Sequence, residues 1–436
     1  MTRSRKWVQI AFVPTALTTL MFAGTTGTSL AKTNPNVTIT LLNSKSQIET
    51  QLQQAVAQFH KQYPSITVNV TPVPSTGTPL QAEQALLASG NAPTIYMGDP
   101  SDVLQLTSKT VNLTGQPWVK EVKPSYLTPA RTKNGQIYGF PFAIEGYGLI
   151  YNVKVVDKAM GGKFNPKSIN TQAALRNLLS KIQKSGVAGD YFAPMNWSLG
   201  AHFLGMAYGD QSNSPAKVAD FIANLGAGKV NLIKNKVFNG LMNTFNLLES
   251  YNIQKASPLA GQYSTAEVDL ATGKVGIFFQ GDWIWPDLQT MKLNPNLGFL
   301  PVPISNNPKQ YGNTQIPVGA TKFLVINRVD NSPAQIAAAK KFLDWLALSP
   351  QGKRQLAINM SVIPPFKNNH LIPPNPLARS IESYIKAGKT TEFMVTLPSS
   401  QWLVNGNSMD KYMAGAETRA ALANTITNYW KTHKLQ

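Results

Sequence analysis

The chain has 436 residues, long for a single core, and its length predicts two domains. Hydrophobic residues at 43% exclude global disorder, while charged residues at 14% are sparse beside the roughly 25% of ordinary soluble domains. Forty Lys and Arg face 21 Asp and Glu, a formal net charge of +19, and with no Cys the sequence offers no disulfide, thiolate metal site, Cys nucleophile or Cys-linked lipid.

The basic excess is scattered, its longest clusters being pairs such as Lys340-Lys341 and Lys353-Arg354. A nucleic-acid footprint gathers its cations on one face or arm, so the pattern reads as a surface short of carboxylates, with no nucleic-acid partner. Such a surface changes little in charge in acid, and an acidic external medium is expected.

Taken in chain order, Arg3, Arg5 and Lys6 precede a broken apolar run over residues 7–22, and Ser29-Leu30-Ala31 carries small residues where a signal peptidase reads. A cleaved signal over 1–31 and an exported protein are expected, periplasmic or extracellular at the outer face of the cytoplasmic membrane; the run is too short and broken for a spanning helix. Residues 37–42 alternate as a strand. Ser46 and Glu49 have the spacing of a capping box, and Ile48, Leu52, Val56, Phe59 and Tyr63 then form one helical stripe that Pro64 stops. Residues 66–70 alternate again, completing a βαβ unit.

A short helix over 80–88 and a strand over 94–97 follow. Residues 137–143 and 148–151 read as two strands separated by 144–147. Thr171 caps a helix carrying Leu175, Leu178, Leu179 and Ile182. Strands are expected at 275–279 and 322–327, a helix opening at Ser332-Pro333, and a last helix over 416–430. This alternation predicts an α/β fold with mostly parallel sheets, whose ligands bind beyond strand carboxyl ends. The residues at such ends are Asn43-Ser44, Gly98-Asp99, Glu145-Gly146-Tyr147 and Gln280-Gly281-Asp282-Trp283.

Nucleophile-elbow, zinc-protease, phosphate-loop and dinucleotide motifs are absent, and the four His are widely separated, so no cofactor or metal is expected. A carboxylate pair for glycoside hydrolysis, Glu145 with Asp99 or Asp282, stays open. The distinctive pattern is tryptophan beside small polar residues. Trp283 and Trp285 follow Gln280-Gly281-Asp282, Trp197 follows Met195-Asn196, and Trp402 follows Ser399-Ser400-Gln401. An indole matches the C–H face of a pyranose, and nearby acids and amides take its hydroxyls.

Five stretches carry a resemblance: "VTITLLNSKSQIETQLQQAVAQFHKQYPSITVNV", "LLASGNAPTIYMGDPSD", "KNGQIYGFPFAIEGYGLIYNVKVVDKA", "GKVGIFFQGDWIWPDL" and "GATKFLVINRVDNSPAQIAAAKKFLDWLALSPQGKRQL". In this order and spacing they resemble the extracellular solute-binding proteins of ABC importers, in the sugar-binding group that includes maltose-binding protein. The resemblance implies a two-lobed periplasmic-binding-protein fold with an interlobe hinge. It places one lobe at 36–143 and 304–348, the other at 149–300 and 354–436, and crossovers at 144–148, 301–303 and 349–353. It implies ligand contacts from Asn43, Ser44, Asp99, Glu145, Tyr147, Asn196, Trp197, Trp283, Trp285 and Trp402, and a weaker one from Lys45; Gln280 and Asp282 join them by position.

The implied function is capture of a carbohydrate, such as a malto-oligosaccharide, by a monomer that delivers it to a membrane permease without catalysis. The same fold for another solute, such as glycerol phosphate, a polyamine-like cation or iron, and a secreted carbohydrate-active enzyme are the alternatives. The missing Cys departs from the lipid-anchored members of the group, and leaves a free periplasmic protein, a signal retained as an anchor, or retention by the permease alone as the alternatives.

Overall fold

The computed structural model describes residues 36–74, 78–394, 396–398 and 400–433; the expected signal at 1–31 and Ser399 lie outside the described residues. The opening βαβ unit follows from its periodicity. Strand β1 (Val37–Asn43) turns Ile39 and Leu41 into a core, the helix Glu49–Gln62 buries Leu52, Ala55, Val56 and Phe59 from one stripe, and β2 (Ile66–Pro72) returns parallel to β1. Phe59 meets Phe342 and Trp345 edge-on, at ring distances of 5.1 and 5.5 Å. The capping box expected at Ser46 and Glu49 does not form. Ser46–Ile48 is a 3-10 turn, and the Glu49 carboxylate accepts instead from the Asn43 amide at 2.7 Å.

Strand β3 (Ile95–Gly98) lies parallel to β1. The two strands expected at 137–143 and 148–151 are one, β4 (Phe140–Asn152), buried along its whole length. After it come β5 (Ala188–Tyr191), β6 (Val275–Gly281), β7 (Leu297–Leu300), β8 (Ile316–Ile326) and β9 (Thr390–Glu392). The strands run in the order β2-β1-β3-β8-β4-β6-β5, with β7 beside β4 and β9 beside β8. The sheet is mixed. The β1–β2, β1–β3, β5–β6 and β8–β9 pairs are parallel, while the two longest strands, β4 and β8, pair antiparallel with each other and with β6, β7 and β3. Among the described residues parallel and antiparallel pairs are thus equal in number, against the mostly parallel expectation, and every antiparallel pair includes β4 or β8.

Packing divides the chain between a larger core and smaller ones. Along β4 the change falls between Ala143, in the core that holds Phe59 and Trp345, and Ile144, in the core that holds Phe279 and Leu300. Val302, Ile304 and Ile316 are in the larger core, whereas Ala320 and Phe323 are in a smaller one. Leu356, Met360 and Phe366 lie in a smaller core, and Ile363 and Leu377 in the larger one. Ser349-Pro350 marks a new helix, Pro350–Arg354, capped by Ser349 Oγ accepting from Gly352 N–H at 2.9 Å. No helix among the described residues is long and apolar enough to cross a membrane.

Candidate functional site

Strand ends build the polar side of the site. After β1 the Lys45 N–H donates to Asn43 Oδ1 at 2.9 Å, closing a turn that presents Ser44 and Lys45. β3 ends at Gly98, and the N–H of Asp99 donates to Asp102 Oδ2 at 3.2 Å. Pairing of Gly98 with Phe323 carries Lys322 of β8 beside Asp99, and the two form an ion pair. Glu145 of β4 pairs with Lys45 and accepts from the Thr321 hydroxyl of β8.

These charges neutralise one another. Burial alone would raise the Glu145 carboxyl, but the Lys45 ammonium, the hydrogen bonds from Lys45 and Thr321, and the Lys322 charge hold it below its ordinary range. Burial would likewise lower Lys322, and the Asp99 carboxylate keeps it above its ordinary range.

The opposite side is aromatic. Trp283 follows β6, its indole folded over Gly281, where any side chain would collide with the ring. Trp197–Phe203 is a π-helical segment, in which residues four or five apart share a face, so Trp197, Ala201 and His202 line the cavity together. The His202 ring lies 4.8 Å from Trp283 and 5.4 Å from Phe393, and Trp197 lies 6.1 Å from Trp283. Burial among these rings pushes the His202 imidazole down to about 3, so it is neutral.

The helix Ser400–Met413 adds Gln401 and Trp402. It sits against the π-helical segment because Gly200 lacks a side chain: a Cβ there would lie 2.5 Å from the Trp402 carbonyl oxygen and 2.6 Å from the Gly406 nitrogen.

Both sides enclose a cavity of about 340 Å³ between the larger core and the smaller ones, near the lower end of the roughly 300–1,000 Å³ usual for small-molecule sites. Of the residues read from the sequence it brings together Ser44, Asp99, Glu145, Trp197, Trp283 and Trp402. The others stand behind the lining. Asn43 is buried and shapes the β1 turn. The Tyr147 hydroxyl donates to the His202 carbonyl at 2.8 Å, and Asn196 donates to Asn407 at 2.6 Å. Gln280 turns toward Ser198, Asp282 accepts from the Gly146 N–H at 3.0 Å, and Trp285 packs in the larger core. Asn43, Asn196 and Asp282 each lie next to a lining residue in sequence, whereas Tyr147, Gln280 and Trp285 lie two or three positions from one.

Residues that sequence reasoning missed are Gln47, Thr321, Lys322, His202, Phe393 and Gln401, and Lys45 is a full partner in the site. Ser44 Oγ, His202 Nδ1, Trp283 Nε1 and Gln401 Oε1 have no protein partner among the described residues, and these donors and acceptors suit a ligand rich in hydroxyls. The carboxylates that reach the cavity, Glu145 and Asp99, are both paired with lysines. No group of three or more His, Asp or Glu is placed to hold a metal among the described residues.

A larger core and smaller ones joined by shared strands, with a charge-paired and aromatic cavity between them, define a solute-binding protein. Residues 54–376 match the profile of the bacterial extracellular solute-binding proteins, and the chain belongs to that family, whose members bind rather than transform their ligands. It is similar to the multiple sugar-binding protein of Streptococcus mutans, 24% identical over 366 residues that cover 81% of this chain and 82% of that one. It shares its fold with a family 1 extracellular solute-binding protein from Bifidobacterium longum subsp. infantis (TM-score 0.64, 22% identity, 92% of this chain and 100% of that one). The same holds for a sugar transporter protein from Bacillus licheniformis in complex with stachyose (TM-score 0.69, 19% identity, 92% of this chain and 100% of that one). The fold is therefore the two-lobed periplasmic-binding architecture.

Proposed function

We propose that this protein is the exported substrate-binding component of an ABC importer, which captures a neutral oligosaccharide and delivers it unchanged to a membrane permease. The observation that carries the reading is one cavity walled by Trp197, Trp283 and Trp402 on one side and by the Lys45–Glu145 and Lys322–Asp99 pairs on the other. Rings of that kind stack on sugar faces, and paired charges offer donors and acceptors without net charge, which disfavours phosphates and polyamines. The name of the Streptococcus mutans relative and the stachyose bound to the Bacillus licheniformis protein point the same way.

In this reading the lobes follow the cores, and the hinge lies at residue 144, within β8 at 316–320 and at 367–376. Closure is favoured because the aromatic lobe adds contacts that only the shut state makes.

The test is calorimetry on the purified protein with raffinose, stachyose, maltotriose and glucose, with chromatography of the sugar afterwards. Tight binding of at least one oligosaccharide, recovered intact, is expected. Silence across the panel, or cleaved sugar, refutes the proposal.

A further inference from the structure

Asp282 stands where β4 changes partners. As far as Gly146, β4 pairs with β8, with Glu145 opposite Gly319 and Gly146 opposite Val318; from Tyr147 it pairs with β6, Tyr147 opposite Gly281. Asp282 is the next residue after β6. Its N–H donates to the Gly146 carbonyl at 3.2 Å, and its Oδ1 accepts from the Gly146 N–H at 3.0 Å. In an ordinary antiparallel pair a backbone carbonyl fills the second role. Here the chain turns away toward the helix Ile284–Thr290, and the carboxyl group replaces that carbonyl. The tie joins the residue after Glu145 to the residue before Trp283, and both of those flanking side chains line the cavity.

We propose that Asp282 is a positioning residue: it fixes the Glu145 carboxylate and the Trp283 ring relative to each other at the strand that passes between the cores. The ring can then take one face of a ligand while the acid takes its hydroxyls. The identity of that ligand rests on the carbohydrate reading above; the tie does not.

The charged groups that face Asp282 are Glu145 on β4 and Lys45 after β1. Burial and the Glu145 anion push its carboxyl up to about 8, so at neutral pH it serves the tie as a carboxylic acid and adds no second anion beside Glu145. Ionisation above that pH sets two anions side by side and spreads the acid from the ring.

The experiment uses the full chain and two variants, Asp282→Ala, which removes the acceptor, and Asp282→Asn, which keeps it without the charge. Hydrogen exchange at the Gly146 amide is read on the free protein. Asp282→Ala is expected to exchange about tenfold faster, as for loss of one hydrogen bond, while Asp282→Asn keeps exchange slow. Calorimetry with stachyose between pH 6 and 9 is the second readout: wild type weakens as pH passes about 8, and Asp282→Asn loses that weakening.

Wild-type exchange in Asp282→Ala, fast exchange in Asp282→Asn, or an alkaline limb that survives in Asp282→Asn overturns the proposal. If Asp282→Ala does not fold, Asp282→Asn decides through both readouts. If wild type binds none of the oligosaccharides, the carbohydrate reading fails and the exchange measurement still decides the tie.

Discussion

Changing Lys45 to methionine removes the cation that Glu145 depends on. The two side chains are 4% and 7% exposed, so the carboxylate cannot recover its hydration when the ammonium is gone. Breaking one partner of a buried pair costs about 3–5 kcal/mol, because a buried charge is left behind. Thr321 still donates to Glu145, and Lys322 still contributes its charge, which places the expected loss at the low end, about 3 kcal/mol at neutral pH.

The pH dependence fixes the cause. In wild type the Glu145 pKa is depressed, so its contribution is complete above the unfolded value of about 4.3 and is lost as pH falls through the folded value. In Lys45→Met burial prevails and raises that pKa, so the penalty is full at neutral pH and relaxes on acidification, by about 1.4 kcal/mol per pH unit once Glu145 protonates. Urea unfolding followed by tryptophan fluorescence at pH 7 and pH 5 measures both. The double variant Lys45→Met with Glu145→Leu is expected to regain most of the loss, since a buried pair replaced by apolar groups is often neutral. A single-variant loss below about 1 kcal/mol, or one equal at both pH values, refutes the argument.

Trp283→Ala is expected to weaken oligosaccharide binding at least about a hundredfold by calorimetry; Trp283 and Trp285 are both buried in the larger core, so either change to Ala also costs about 3–5 kcal/mol in urea unfolding, but Trp285→Ala leaves the cavity lining in place. Gly200→Ala drives a methyl group into the Trp402 carbonyl and the Gly406 nitrogen and is expected to lower the melting temperature, at a cost of about 1–3 kcal/mol; an unshifted melt contradicts the close contact. The protein as a whole is expected to be more stable at pH 5 than at pH 8. Burial pushes Glu83 up to about 7 and Glu267 up to about 8, and it raises Asp190, whose two oxygens have no side-chain hydrogen-bond partner among the described residues. The folded chain therefore holds protons that the unfolded chain releases above about pH 4, and stability falls as pH rises toward 8. A higher melting temperature at pH 8 contradicts this, and Asp190→Asn should flatten the slope.

How much of this was readable beforehand follows from which interactions are local. The βαβ opening and the Ser332 cap, with Ser332 accepting from Gln335 N–H, depend on neighbours in sequence and were readable as such. The carboxyl ends of β3 and β6 pointed to Asp99 and Trp283 because strand ends carry sites in this class of sheet. Lys322 was invisible because it is one scattered lysine among many, and only the antiparallel register of β3 on β8 sets it beside Asp99. His202 was hidden by its helix: a five-residue repeat from Trp197 fits no ordinary helical periodicity. The second and third crossovers were read at the turn residues 301–303 and 349–353, whereas the hinge proposed above lies within the regular strand β8 and at 367–376.

Strand β4 belongs to both halves of the sheet and is covered on both faces over its full length. Removing or adding one residue within it would invert every side chain downstream, swinging Glu145 out of reach of Lys45 or Tyr147 off its seat beneath His202. Surface loops can grow or shrink with little penalty, but this strand behaves as a fixed-length axle whose residue count is set from both ends at once.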